Sequence, residues 1–490
     1  MGNREHRSTE LAVRLAVAQV REAWRQGAMA SLLQLDISNA FPTVNHIRLL
    51  HTLRQQGFPV WLVIWLKAWL SNRTTTLYFD GQTTPPIPVP AGVPQGSPLS
   101  PILFLLYSTS LYSALKQEHP HVSLIGFADD TNLLAFGLKP GTIKQQLEGA
   151  WRTCLRWAKS RGMAFGPEKS ELIHFNKGRK QWDRALVLDL PSGNGFSMIR
   201  PVKSARFLGV WLDWKLSWKA HKAKIEEKLQ TQEFALSRIA AKTWGPGLIR
   251  AREVYTKCIR SAIAYGASCY HTPTPPGGQP RGLAKDLQKA QARNLRIVAG
   301  AYKRTPIRNL ETETWVPPLD LYLNKRFADF EQRLQTPSLR SGLGPGAPRK
   351  TPGSIVQDAC NIISRRFLRR TRRPRHKPRS QGSTELEEAQ KVIKQWVEGA
   401  PTTEIAMKKA WETRWKQSFE GRTSSRLADY DPPDFLFTNK ALRKHQDLTK
   451  AQSSLLIQAR TGVIGLRDFL FKIGVPTVST PYYTEVGDKN

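Results

Sequence analysis

Cysteine is scarce and widely spaced. Cys154, Cys258, Cys269 and Cys360 are the only four in 490 residues. No two stand at a short pair spacing, which argues against a disulfide scaffold and a cysteine-rich zinc module and fits a reducing compartment. Long apolar runs are missing too. The most apolar stretch, Val60 to Leu70, is about eleven residues long and contains Lys67. A bilayer-spanning helix needs roughly twenty. The opening stretch, Met1 to Glu10, is polar and charged, so no secretory signal is read there. Acidic residues are the third deficit: 39 Asp plus Glu stand against 74 Lys plus Arg, a formal net charge of +35. Such a surplus calls for a polyanionic partner. Nucleic acid comes first and an anionic membrane surface second. The arginine cluster that would serve a membrane has only Phe367 and Leu368 as apolar company, so no membrane partner is expected. The expected compartment is nucleus or cytoplasm.

What remains is enough to fold. The apolar share is 40%, with 15 Trp and 19 Phe, which excludes a wholly disordered chain. The length suggests two to four domains. Periodicity predicts a helix over Glu10 to Gln26, a short buried strand over Leu32 to Ile37, and helices over His46 to Gln55, Trp61 to Trp69 and Ile102 to Leu115. His121 to Phe136 reads as a hairpin with Ala128-Asp129-Asp130-Thr131 at its turn. A second hairpin is expected from Leu186 to Leu190, a turn at Ser192 to Gly195, and a return strand near Phe207 to Leu212. Beyond Ser217 the pattern is helical: Lys222 to Trp244, Ile249 to Ala264, Leu283 to Ala299 and Leu321 to Leu334. The fold class is therefore α+β in the first half and all-α after it.

A Pro/Gly-rich stretch follows, and Arg365 to Arg379 holds nine Lys or Arg in fifteen residues with no acid. That run suits nucleic-acid phosphates or nuclear import, and equally a solvated linker. Thr384 with Glu387, and Thr449 with Gln452, have the spacing of capping boxes that open helices. Trp396, Trp411 and Trp415 read as core rather than stacking platforms.

Three aspartates stand out by their surroundings. Asp36 ends the apolar strand, and Asp129 and Asp130 sit between the apolar arms of the first hairpin. Carboxylates on neighbouring strand ends suit Mg²⁺, a hard cation that takes oxygen ligands together with substrate phosphates. Each piece alone has an ordinary reading, since Asp-Asp is common turn chemistry and a strand-end Asp often caps a helix.

Taken together, the motifs resemble a known set. Leu33-Gln34-Leu35-Asp36-Ile37-Ser38-Asn39-Ala40-Phe41 is similar to the first catalytic motif of reverse transcriptases. Gly92-Val93-Pro94-Gln95-Gly96-Ser97-Pro98-Leu99-Ser100-Pro101 resembles their Pro-Gln-Gly motif, and Phe127-Ala128-Asp129-Asp130 their Asp-Asp motif, in the same order and spacing. The nearest likeness is to the enzymes of fungal non-LTR (LINE-like) retrotransposons. Phe207-Leu208-Gly209-Val210-Trp211-Leu212-Asp213 is similar to that family's primer grip, and the stretch through Trp244-Gly245 and Ala264-Tyr265-Gly266-Ala267-Ser268 to its thumb.

The resemblance implies a right-hand polymerase palm, an antiparallel sheet with packed helices, in residues 1–215. It implies a helical thumb in 216–335. A basic linker in 336–383 and a helical C-terminal region in 384–490 complete the expected domains. It implies an RNA-directed DNA polymerase that joins deoxynucleoside triphosphates to a DNA primer on an RNA template, using two Mg²⁺ ions with Mn²⁺ as substitute. Asp36, Asp129 and Asp130 would hold the metals, with the Ile37 carbonyl as a further ligand. Phe41 would exclude a 2′-hydroxyl, although as a bare residue it reads as a core aromatic. Gln95 and Gly96 would lie against template and nucleotide. Arg73 would contact the template backbone. Lys169 would act as general acid, a surface lysine being its plain reading. Only 35 residues precede Asp36, fewer than the family's fingers region needs. The expectation is thus an N-terminally truncated interior piece of a polyprotein, with a catalytically dead nucleic-acid-binding relic as the alternative.

Overall fold

The computed structural model describes residues 6–166, 169–177, 186–192, 195–336, 351–368, 385–418 and 436–464. They fall into two compact units. One is formed by Met1–His221 with Leu334–Lys377, the other by Lys222–Arg333 with Pro378–Asn490. Among the described residues no helix is long and apolar enough to cross a membrane.

The first unit opens with helix α1 (Thr9–Arg25), started by Ser8, whose hydroxyl accepts the Leu11 N–H at 3.1 Å. Strand β1 (Met29–Leu35) follows, then α2 (His46–Gln55) and α3 (Val60–Leu70). Four two-residue strands, β2 to β5, lie between Thr74 and Pro88. Helix α4 (Ser100–Glu118), strands β6 (Val122–Phe127) and β7 (Asp130–Gly137), helix α5 (Pro140–Arg161) and strand β8 (Glu171–Phe175) complete the core. The sheet order is β11-β8-β1-β7-β6, with β11 (Pro201–Val202) parallel to β8 and every other pair antiparallel.

Strand β1 lies inside this sheet and is buried on both faces, so apolar residues stand on both of its faces and no strict alternation shows, with Ser31 and Gln34 the polar members. Its odd residues Leu33 and Leu35, with Leu133 and Leu172 beside them, pack among residues of α2, α4 and α5 such as Leu49, Phe104 and Trp151. On the other face, α1 packs against β1 and β6 and against α13 (Pro352–Leu368). Residues 352–368, expected within a linker, are therefore a helix of the first unit. The reason is an apolar stripe, including Ile363 and Phe367, that is buried in the fold. Arg366, expected among the phosphate-binding arginines, donates to the carbonyls of His121 at 2.9 Å and Phe136 at 3.3 Å. The rest of that basic run, 369–379, lies outside the described residues, as does Thr384.

The second expected hairpin is re-paired. Strand β9 (Leu188–Ser192) pairs with β10 (Gly195–Ile199), while β12 (Ser204–Phe207) folds onto β13 (Val210–Asp213). Leu208 and Gly209 both take positive φ between β12 and β13, as a tight two-residue turn matched to strand twist requires. The sequence Phe207 to Leu212 is thus a hairpin corner, not one return strand. Gly193 and Asn194 of the expected turn lie outside the described residues.

The second unit is helical. Helix α6 (Lys219–Ile239) stops five residues before the expected Trp244. The helix expected over Ile249 to Ala264 is three pieces: α7 (Leu248–Val254), a π-helical turn (Tyr255–Ile259) and α8 (Arg260–Ala264). Helices α9 (Ala267–Tyr270), α10 (Gly282–Ala299), α11 (Ile307–Glu313) and α12 (Leu319–Gln335) follow, then α14 (Glu385–Val397), α15 (Thr403–Gln417) and α16 (Lys450–Arg460). The Thr449–Gln452 capping box is present at the start of α16. Trp396, Trp411 and Trp415 are buried in one cluster with Leu321 and Phe327 of α12, core residues as expected. The fully buried Asp320 is held by both terminal nitrogens of Arg414, at 2.7 and 2.8 Å, a fork that matches the carboxylate.

Two buried histidines give the first unit a pH dependence. His174 is bonded to Ser31 (Nδ1 to Oγ 2.7 Å) across β8 and β1, and His221 Nδ1 accepts the Trp211 N–H at 3.3 Å. Burial pushes both imidazoles down to about 4, from 6.5. The folded state therefore prefers neutral rings, a contribution intact above pH 6.5 and lost as pH falls toward 4. We expect urea melts to lose on the order of 2–3 kcal/mol per histidine across that window. A double variant, His174→Asn with His221→Asn, should show a flatter profile. Equal pH slopes in the two proteins would contradict it.

Candidate active site

The antiparallel register of β1 and β7 pairs Leu35 with Thr131. Continuing it by one residue sets Asp36 opposite Asp130. Strand β6 closes onto β7 through Phe127 and Asp130, so the turn is the two residues Ala128 and Asp129. The expected four-residue turn is shorter, and Asp130 and Thr131 belong to the strand. Ala128 carries φ +53°, a left-handed conformation that costs a non-glycine residue about 1–2 kcal/mol. A two-residue turn needs a positive φ here to match the twist of its strands. Asp129 thus stands at the tip and Asp130 one residue inside it.

The chain beyond β1 is fixed from its other side. Ser38 N–H donates to Ala164 O at 2.9 Å and Gly166 N–H to Asp36 O at 3.2 Å, flanking a bridge between Ile37 and Phe165. In such a pair the Ile37 carbonyl points away from Phe165. It therefore faces the side on which β7 lies. The same strap leads to Lys169, whose N–H donates to Gly166 O at 3.1 Å and whose Nζ lies 3.4 Å from Asp36 Oδ2. This pair is open to solvent and is worth under about 1 kcal/mol.

The electrostatics bind the three aspartates together. Asp130 keeps one side open to solvent, yet packing on the other side raises its carboxyl above the usual range. The charges of Asp129 and Asp36 add to that shift, in that order. Tyr112 of α4, which the sequence reading did not single out, belongs to the same neighbourhood. Burial raises its phenol, and Asp130 and Asp129 act in the same sense. No short motif marks it; only the packing of α4 beneath the hairpin does.

The Pro-Gln-Gly loop is held at its base. Gly92 N–H donates to Val44 O at 2.8 Å and Val93 N–H to Phe41 O at 2.9 Å. A side chain at Gly92 would run into the Pro42 backbone, so only glycine permits this approach. The Gly92 carbonyl is bonded by His46 Nε2 at 2.7 Å and Arg73 Nη1 at 2.8 Å. Arg73, expected on template phosphates, thus has its guanidinium engaged in fixing this loop. His46 is a second residue that the motifs did not indicate. Ser100 Oγ donates to Pro94 O at 2.5 Å from the other end. Between these anchors Gln95 and Gly96 are exposed. Phe41 is half-buried, its ring 5.4 Å from that of Phe104 and packed on the core.

Among the described residues, no group of three or more His, Cys, Asp or Glu side chains is arranged to close around a metal ion. The donor chemistry nevertheless fits a hard cation. The set is oxygen only, its carboxylates repel one another, and Mg²⁺ commonly takes one or two carboxylates and completes its shell with water and phosphate.

Residues 1–212 match the family model for reverse transcriptase (RNA-dependent DNA polymerase). The RNA-directed DNA polymerase from mobile element jockey of Drosophila melanogaster is 27% identical over 320 residues, 64% of this chain and 33% of that protein. The probable RNA-directed DNA polymerase from transposon X-element of the same fly is 24% identical over 370 residues, 73% of this chain and 38% of that protein. The retrovirus-related Pol polyprotein from type-1 retrotransposable element R2 of Popillia japonica is 30% identical over 156 residues, 30% of this chain and 25% of that protein. The chain spans roughly a quarter to two fifths of the length of these curated relatives. Every site residue named from the sequence lies within the reverse transcriptase match. The jockey similarity is longer than that match, so it continues into the helical second unit.

The raised Asp130 carboxyl has a sign that can be tested. Its neutral form is favoured in the fold, so its contribution is present at low pH and lost as pH rises through the shifted value. At neutral pH the ionised group is a liability. Asp130→Asn should therefore stabilise metal-free protein by under about 1 kcal/mol after allowing for solvent screening, seen as a higher thermal midpoint. Mg²⁺ should stabilise the parent protein and leave the variant's midpoint unmoved. A lower midpoint in the metal-free variant would contradict the repulsion.

Proposed function

We propose that this chain is the polymerase portion of a non-LTR retrotransposon protein, an RNA-directed DNA polymerase. It would extend a DNA primer along an RNA template with deoxynucleoside triphosphates. The observation that carries the reading is the β1–β7 register, which brings Asp36 beside the Asp129–Asp130 tip. The matched family and the jockey and X-element relatives support it. The fungal source read from the motifs remains part of the proposal.

In this reading the five-stranded sheet is the palm and the helices after residue 216 are the thumb. Asp36, Asp129, Asp130 and the Ile37 carbonyl would hold two Mg²⁺ ions. Such a pair, when bound, would activate the primer hydroxyl and steady the departing pyrophosphate. Lys169 would give a proton to the leaving group; its tether beside Asp36 through the Gly166 strap supports that role. The exposed tip of the Pro-Gln-Gly loop meets the template and nucleotide through Gln95 and Gly96. Arg73 serves by holding that loop, and its solvent side contacts template phosphate. Phe41 stands beside the incoming sugar, where its packing against Phe104 keeps it from yielding to a 2′-hydroxyl. The surplus of 74 basic over 39 acidic residues supplies the attraction to both strands. The working compartment is the nucleus or cytoplasm.

Primer extension on a poly(rA)/oligo(dT) duplex tests the reading, with Mg²⁺ and Mn²⁺ in separate assays. We expect extension by the parent chain and its disappearance in Asp129→Asn. Lys169→Ala should lower kcat about a hundredfold, within the range of a lost general acid. Absence of extension with salt-sensitive duplex binding retained would instead favour a catalytically dead nucleic-acid-binding relic.

A further inference from the structure

The second unit contains a pocket of about 410 Å³, walled in part by Arg252, Arg260, Trp315, Tyr322, Lys408 and Trp411. It uses none of the residues assigned to polymerisation. Its floor is unusual in charge. Arg260 is 9% exposed, and its Nε and Nη1 have no hydrogen-bond partner. The guanidinium lies over the Tyr322 ring, 4.0 Å from its centre. Stacking satisfies the face of a guanidinium but not the donors around its edge. A buried donor left unmet costs about 1–3 kcal/mol, more for a charged group.

Arg252 crowds the same place. Its Nε and Nη2 donate to the carbonyls of Thr314 at 2.7 Å and Trp315 at 2.9 Å, and it stacks on the Trp315 ring at 4.7 Å. Burial, and next the Arg260 charge, push Arg252 down to about 10. The two arginines share a face because of the π-helical turn between them. Residues eight apart on an α-helix diverge by about 80° around the axis. The π turn inserts one residue, so the pair behaves as a seven-residue spacing, about 20° apart. Trp315 has φ +47°, a strained conformation for a bulky residue, and its carbonyl is one of the acceptors that position Arg252. The acid in the wall, Glu404, is already met by Lys325 at 3.5 Å, which also pairs with Asp329 at 3.0 Å. Lys408 at the rim pairs loosely with Glu412 at 3.7 Å. The pocket is thus cationic at its floor and aromatic along its wall.

The geometry points to a binding site for single-stranded nucleic acid: a backbone phosphate seats on the edge of Arg260, and the adjoining base lies against the half-exposed Trp315 and Tyr322. A planar fork of donors suits a phosphate, and aromatic walls accept any base. The choice of nucleic acid over another phosphate source rests on the polymerase reading; the anion site itself does not.

Hydrogen exchange on the full chain, with and without a short oligouridylate, locates the ligand despite the strong overall charge. We expect protection in peptides spanning Trp315–Tyr322 and Ile405–Trp411. In Arg260→Gln the apparent affinity read from those peptides should fall at least tenfold. Lys408→Gln, at a partly exposed rim position, should weaken it severalfold. Asp129→Asn should leave this protection intact, so failure of the polymerase reading is told apart from failure of the pocket. Lack of protection in those peptides, or equal protection in both pocket variants, would overturn the site. Inorganic phosphate or AMP protecting as fully as the oligomer at equal concentration would overturn the nucleic-acid assignment.

Discussion

Strand β1 is hydrogen-bonded on both edges and buried on both faces, and the rest of the first unit is arranged around that constraint. A strand so enclosed has no freedom to slip. Shifting it by one residue would turn Leu33 and Leu35 out of one core and Leu32 into it. The same fixed register determines where its polar end emerges. Asp36 comes out opposite Asp130 because Leu33 faces Leu133 and Leu35 faces Thr131. The apolar core thereby forces together carboxylates that would otherwise separate. Like charges facing one another across strands are unfavourable in isolation. A scaffold that imposes them concentrates negative charge at the strand ends, with Lys169 moderating the field.

The sequence was legible where local pattern and tertiary environment agree. The helix over His46 to Gln55 has both ends as periodicity places them, and the capping box at Thr449 forms because its two partners are local. The motif aspartates were legible because their strand arms are strongly apolar. The hairpins after Leu186 were not. Several short apolar runs there can pair in more than one way, and which pairing wins depends on turn conformations such as that of Leu208 and Gly209. Arg73 and His46 could not be seen as loop anchors, since their common partner is a backbone carbonyl that carries no sequence signature. Helix α13 was hidden by its neighbours: Pro and Gly before it and arginines after it dilute a stripe that shows only against its buried surroundings.

The second unit uses charge in two opposite ways. Around Asp320 a buried carboxylate receives a complete bidentate partner in Arg414. Around Arg260 a buried cation keeps unmet donors. The first arrangement is closed, and breaking such a pair from one side is strongly destabilising. The second is open, and its shortfall is the kind that a ligand removes. A π turn and a strained tryptophan, both departures from regular geometry, lie at the open arrangement and not at the closed one. Glu311 shows how dry this interior is. Burial, with Asp320 next, pushes its carboxyl up to about 8, so it is largely protonated at neutral pH.

The packing of α13 on α1 has a consequence for synthesis. Ser364 donates to Glu22 across 342 residues of chain, so the first unit cannot finish folding when its sheet has left the ribosome. At roughly 5–20 residues per second, α1 waits about 20–70 s for its partner helix. During that interval the apolar side of α1 is uncovered while the residues of the second unit are being made. The nascent chain therefore passes through a long-lived stage with one hydrophobic face open, when a chaperone has time to engage it.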